Sequence, residues 1–257
     1  MHASPVRGTQ TLSRAVVLMK AVAERPLQGW RLTDLAAHCG FDKGSAHRLL
    51  AGLVHERLVL QRPSDRHYVP GPLLYELGLG VTPLAAFQQR CAPALARMAR
   101  LTRGLAFLYL KSGAEFVCAA RVGSSSLKGM SVEVGTRRPL VVSAAGVAIL
   151  LALPAEEQAA VEKANLKQIE PVGAARVAAV RKMLRRSRRH GFGVNLADVV
   201  PGINAFGVPL FDAERRPFAS ISVVGPVAAM PRTRLAEFEA MLRAEAARIQ
   251  GEAGAPP

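Results

Sequence analysis

Between Tyr68 and Pro83 the chain places Pro70, Pro72 and Pro83 among Gly71, Gly78 and Gly80. Proline removes a backbone donor and blocks a helix interior, and glycine adds to the entropy lost on ordering. No long helix or central strand crosses such a stretch. It has room for one short connecting helix, Leu73 to Leu79. The sequence on either side must therefore bury a core of its own. The chain has 257 residues, half of them hydrophobic, which is enough for two cores. The expected units are residues 9–70 and 83–252, joined by a linker helix within 71–82.

The first unit reads as three helices and a hairpin. Thr11 or Ser13 can cap a helix that runs to about Ala23, with Leu12, Val16, Met19 and Val22 near helical spacing. Thr33 is the expected cap of a second helix, Asp34 to Cys39, which Gly40 ends in the left-handed position typical of a helix C-terminus. Asp42 is placed to cap a third helix from Lys43 to about Glu56. Its apolar residues Ala46, Leu49, Leu50 and Leu53 make one face. Val59 to Gln61 and His67 to Val69 have strand length, and Arg62-Pro63-Ser64-Asp65-Arg66 forms a polar turn between them.

A short helix, a glycine turn, a second helix and then a hairpin make a winged helix-turn-helix. A helix fits the DNA major groove, and the helix before it braces the backbone. The polar face of the third helix carries Lys43, Ser45, His47, Arg48 and Gly52, and Gly44 at its start is a further DNA-binding candidate. Arg48 is the candidate for base reading, because its guanidinium can bond guanine through two donors. Lys43 and the wing residues Arg62 and Arg66 suit phosphates. On pattern alone, a plain pair of packed helices with solvated charges is as good a reading. The wing that follows favours double-stranded DNA.

The formal charge of +15 points the same way, toward a polyanion. Its distribution does not. Residues 1–80 hold 10 Lys and Arg against 6 Asp and Glu, while residues 81–257 hold 24 against 13. Much of that excess sits in one helix, where Arg176, Arg181, Lys182, Arg185, Arg186, Arg188 and Arg189 crowd together. A solvated face is the expected reading, with a contact to DNA backbone or to an acidic partner as the alternative.

The second unit mixes elements. Leu84 to Leu101 is a long amphipathic helix, expected to break or bend near Pro93. Ala106 to Leu110, Phe116 to Arg121 and, more weakly, Leu127 to Val134 have strand length. Helices are expected at Ala144 to Leu153, Glu156 to Lys163, Ala174 to His190 and Arg232 to Gln250, and a hairpin at Ile203 to Phe211 with Ala219 to Val224. Without strict βαβ alternation, this is α+β with a largely antiparallel sheet.

Four separated segments resemble IclR-type bacterial transcriptional regulators. Leu32-Thr33-Asp34-Leu35-Ala36 through Lys43-Gly44-Ser45-Ala46-His47-Arg48-Leu49-Leu50 is similar to that family's helix-turn-helix. Tyr68 to Gly78 is similar to its passage from wing to linker helix. Val134 to Leu140 with Ser143-Ala144-Ala145-Gly146 is similar to its loop and buried helix, and Pro201 to Ala205 with Ser220 to Pro226 to its final hairpin. The resemblance implies a GAF-like effector-binding domain, a homodimer or dimer of dimers, and control of transcription, by repression or activation, through a small organic acid. It also implies an effector site at Met130, Ala144, Ala145, Asn195, Ala205 and Ser222.

The chain departs from that family pattern. Gly44 replaces the first of two hydroxyl residues, Val147 a lysine, Asn195 an acidic residue, Ala205 a cysteine and Val224 a serine. The site therefore looks less polar than is usual for the family, and an aromatic carboxylate is expected over an acid of two or three carbons. Backbone amides at the start of the Ala144 helix can take a carboxylate, and Asn195 and Ser222 can add hydrogen bonds.

Other classes find little support. The longest apolar run, Leu140 to Leu153, is too short to span a bilayer, and Met1 to Gln10 has no apolar core of a secretory signal. No membrane partner is expected. Cys39, Cys91 and Cys118 are too few and too scattered for a disulfide framework, so the expected compartment is the reducing cytoplasm. Cys118 is a possible oxidant sensor only if exposed. Ser125-Ser126-Leu127-Lys128 has an S-x-x-K spacing without its companion motifs. No cofactor motif occurs, and His38, Cys39 and His47 lack metal-ligand spacing. Neither cofactor nor metal is expected. No matched nucleophile, base and acid stand out, so a binding protein is expected over an enzyme, and the leading alternative is a constitutive DNA-binding module with a degenerate pocket.

Overall fold

The computed structural model describes residues 8–123 and 132–251. Contacts divide the chain between Thr82 and Pro83 into two compact units. The break therefore falls in the Pro- and Gly-rich stretch, although the helix α5 (Thr82–Thr102) already begins at Thr82.

The first unit contains α1 (Gln10–Glu24), α2 (Leu32–Cys39), α3 (Lys43–His55), β1 (Val59–Gln61), β2 (Tyr68–Pro70) and α4 (Pro72–Leu79). The apolar faces of the first three helices meet around Leu18, Val22, Leu35, Leu50 and Leu53, with Trp30, Val59 and Tyr68 closing the core. Trp30 Nε1 donates to the Ala21 carbonyl at 2.8 Å, which satisfies the buried indole. Gly40 has φ +68° and ends α2, and Asp42 Oδ1 accepts from the Ser45 amide at 2.8 Å and caps α3. Two expected starts move. α1 begins at Gln10, ahead of Thr11 and Ser13, and α2 begins at Leu32, so Thr33 lies inside its first turn and does not cap it.

The linker helix α4 is tied to this unit. A Cβ on Gly71 would lie 2.1 Å from the Arg57 carbonyl oxygen, so only glycine permits the approach. The Gly71 amide donates to the Leu58 carbonyl at 3.0 Å and the Leu73 amide to the Arg57 carbonyl at 3.2 Å. Arg57 also pairs with Glu76.

The second unit is a six-stranded antiparallel sheet between two helical layers. Its strands are β3 (Leu105–Ser112), β4 (Glu115–Val122), β5 (Arg137–Pro139), β6 (Gly193–Leu196), β7 (Ile203–Phe211) and β8 (Pro217–Pro226), in spatial order β5-β4-β3-β8-β7-β6. Alternation sends Ala106, Leu108, Ile221 and Val223 to the face covered by α5 (Thr82–Thr102) and α9 (Leu235–Gly251). Leu105, Phe107 and Tyr109 face α6 (Ala144–Leu151), α7 (Ala155–Ile169) and α8 (Ala174–His190). The helix α5 runs unbroken through Pro93, an exposed residue. Water can take up the carbonyl that a proline leaves unpaired there. The edge strands β5 and β6 were not legible in the sequence pattern. The expected strand Leu127 to Val134 falls mostly outside the described residues, as does the Ser125 to Lys128 motif.

Glycines set how closely α6 sits on the sheet. A Cβ on Gly193 would lie 1.8 Å from the Ala144 carbonyl oxygen, and one on Gly207 would lie 2.9 Å from the Ala145 Cα. Backbone meets backbone at both points. Gly193→Ala is expected to push α6 off β6 and lower stability by at least about 3 kcal/mol, above the usual range for overpacking because no flexible side chain can yield. A thermal or urea unfolding curve measures this; an unchanged midpoint would contradict it.

Candidate DNA interface and effector cavity

Lys43, Gly44, His47 and Arg48 are all exposed on α3, with Ser45 half-buried between them. The Ser45 hydroxyl accepts from Arg48 Nη2 at 3.3 Å and so helps to orient the guanidinium. Gly44 has no steric necessity. A Cβ there would meet only Asp42 and Arg48 side-chain atoms, at 3.5 and 3.7 Å.

The two wing arginines have different tasks. Arg62 donates from Nη1 to the Leu27 carbonyl and from Nη2 to the Gln28 carbonyl, both at 2.9 Å. Its Nε and Nη2 also grip Asp65 at 3.0 and 2.7 Å. The bonds from Arg62, reinforced by the His67 amide, hold the Asp65 carboxyl far below the usual carboxylate range. Arg62 is thus a brace between the wing and the loop after α1, not an open phosphate ligand. Arg66 is exposed at the wing tip with φ +60°. With His47, Gln61 and Arg31 it lines a groove of about 350 Å³ between α3 and the wing. Arg31, just before α2, was not singled out by the sequence pattern. Only its position beside a helix N-terminus could have marked it.

In the second unit a cavity of about 420 Å³ opens between the sheet and the α6–α8 layer. Tyr109 and Phe116 form an aromatic side. Val142, Ile203 and Val224 add apolar surface, and Ser143 and Ala144 bring the N-terminus of α6 to it. Asn195 and Ala205 also line it. Ala145 and Ser222 are not among the lining residues. Ala145 is packed over Gly207, and Ser222 is buried in the sheet with its hydroxyl unpartnered. Met130 lies outside the described residues.

The cavity also holds charge that none of its motif residues supplies. Arg138, from β5, and Arg176, from the first turn of α8, both line it, and no Asp or Glu does so among the described residues. Burial, with the nearby Arg138 charge, lowers the pKa of the Arg176 guanidinium. Neither arginine falls in a polar motif, and only the fold brings them together. Asn195 is less available than expected. Its Nδ2 donates to the Ile203 carbonyl at 3.1 Å and its Oδ1 accepts from the Val199 amide at 3.2 Å, which fixes the loop that walls the cavity.

That loop explains part of the basic helix. The buried Asp198 carboxylate pairs with Arg186 and, at 3.1 Å, with Lys182. Burial alone would raise its pKa, but these bonds and the Leu196 amide outweigh it and hold the carboxyl low. Arg176 Nη1 donates to the Val199 carbonyl at 2.8 Å, and Arg188 pairs with Glu162 of α7. Four of the seven basic residues therefore have structural partners, while Arg181, Arg185 and Arg189 form an exposed row. Burial pushes the Cys91 and Cys118 thiols up to about 12, so Cys118 is no exposed sensor. No cluster with metal-ligand composition occurs among the described residues.

Residues 11–63 match the IclR helix-turn-helix domain, and residues 84–250 match the C-terminal domain of bacterial transcriptional regulators of the IclR type. The chain belongs to the IclR family of bacterial transcriptional regulators. It is 27% identical to the transcriptional repressor IclR of Escherichia coli over 245 residues, which cover 93% of this chain and 88% of that protein. An IclR-family regulator from Brucella abortus shares its fold with TM-score 0.75 and 18% identity, covering 98% of this chain and 96% of that one. An IclR homologue from Microbacterium hydrocarbonoxydans, solved with 4-hydroxybenzoate, has TM-score 0.69 and 20% identity over 95% of this chain and 98% of that one. As an IclR-family member the chain pairs a DNA-binding helix-turn-helix with a C-terminal effector domain.

The brace at Arg62 has a measurable consequence. Arg62→Ala is expected to lower the melting temperature of the protein, whereas Arg66→Ala should leave it within experimental error. Equal melting temperatures for the two variants would remove the distinction drawn between them.

Proposed function

We propose that this IclR-family protein acts in the cytoplasm as a homodimer whose grip on operator DNA is set by an aromatic carboxylate. The cavity carries the reading: an aromatic and aliphatic enclosure with cationic groups and no acidic residue in its lining suits an apolar acid. The Microbacterium homologue, crystallised with 4-hydroxybenzoate, supports that ligand class.

On the DNA side, α3 enters the major groove with Arg48 at a base edge, and Lys43, Ser45, His47 and Arg66 contact phosphates or flanking edges. Dimerisation is supported by α4, which buries none of its residues although Tyr75, Leu77 and Leu79 are apolar and at least 60% exposed. Leu12 and Val16 add exposed apolar surface on α1. A second copy would cover these faces and space two recognition helices by roughly 34–36 Å, one turn of DNA.

Fluorescence anisotropy with duplexes taken from the DNA flanking the gene tests both halves. Arg48→Ala is expected to cost about 1–3 kcal/mol of discrimination between operator and random duplex while non-specific binding survives. Binding of 4-hydroxybenzoate should shift operator affinity, and the acid should be recovered chemically unchanged. Response to glyoxylate or pyruvate alone would overturn the ligand class, and conversion of the acid would overturn the regulator reading in favour of an enzyme.

A further inference from the structure

We propose that the cavity is built for a dicarboxylate with a ring-sized apolar spacer, one carboxylate meeting Arg138 and the other Arg176. This rests on the effector reading above and adds to it the second charge.

Strand register places the first arginine. Arg138 stands opposite Phe116 in the β4–β5 pair, and both line the cavity. Its neighbour Arg137 projects to the other side and is satisfied there, with Nη1 bonding the Ser112 hydroxyl at 2.8 Å and Glu115 at 3.2 Å. Arg138 has no ion pair among the described residues, so its charge is left to the cavity rim.

Arg176 is disfavoured where it stands. It lies in the first turn of α8, where the helix dipole opposes a cation. It is half-buried, bonded to the neutral Val199 carbonyl, and close enough to Arg138 for the two charges to repel. By contrast, Lys182, Arg186 and Arg188 on the same helix each have a carboxylate partner. Two like charges at one cavity, neither neutralised from within, are stabilised by an anion that supplies both countercharges.

A monocarboxylate supplies only one full negative charge. A small hydroxylated diacid would leave hydroxyls against Phe116, Ile203 and Val224, which offer them no partner. The fit is a rigid apolar body between two carboxylates.

Calorimetric titration of the full-length protein tests this with benzene-1,2-, -1,3- and -1,4-dicarboxylate, the 1,4 half-methyl ester, and benzoate. At least one diacid is expected to bind at least about tenfold more tightly than benzoate, with the half-ester near benzoate, because a charge-assisted bidentate contact is lost. Arg138→Gln, at an edge strand, should erase the preference, leaving the diacid within about threefold of benzoate measured on the same variant. The Arg138→Gln melting curve is recorded alongside to show that the fold is kept. Benzoate binding as tightly as every diacid, or Arg138→Gln weakening both equally, overturns the second charge and leaves the effector reading standing. No binding by any of these acids or by 4-hydroxybenzoate overturns both.

Discussion

The second unit depends on α6 lying against the sheet at backbone distance. Gly193 and Gly207 on β6 and β7 make that approach possible, while Gly146 lets the helix pack against the turn before it, where a Cβ would lie 2.2 Å from the Leu140 carbonyl oxygen. The close seat brings the amide end of α6 to the cavity. The Ser143 hydroxyl accepts from the Gly146 amide at 3.0 Å, and the amides before it have no acceptor within the helix. Larger residues at Gly193 or Gly207 would lift the helix away. The cavity would then lose its positive end.

The opposite wall is held by charge. Asp198, buried and paired with Arg186 and Lys182, fixes the turn that presents Val199, Val200 and Pro201, and Asn195 fastens the same turn from β6. Breaking one partner of such a buried pair leaves an uncompensated charge, which costs more than the pair itself contributes. The helix α8 therefore performs two tasks. Its later turns anchor the wall, and its first turn supplies a cation to the cavity.

Much of the DNA-binding unit was legible in the sequence, because its signals are local. Asp42, Gly40 and the apolar spacing of α3 act within a few residues of one another. The role of Arg62 was not legible, since its acceptors at Leu27 and Gln28 lie over thirty residues away. The same limit applies to the cavity. Ala144 and Ala205 were singled out through the family resemblance, but Arg138 and Arg176 are partners only because β5 and α8 meet across the fold. Composition had already shown where the positive charge lay, though not that some of it was structural. The strand β5 is three residues long and contains a proline, too short for alternation to register.

The anchoring of α4 has a mechanical consequence. Through Gly71, Leu73 and the Arg57–Glu76 pair, α4 is fastened to the winged unit. Between the end of α4 at Leu79 and the start of α5 at Thr82 lie only Gly80 and Val81. The covalent joint between the two units therefore has the torsions of two residues to turn on. A rotation of α4 therefore carries α3 with it.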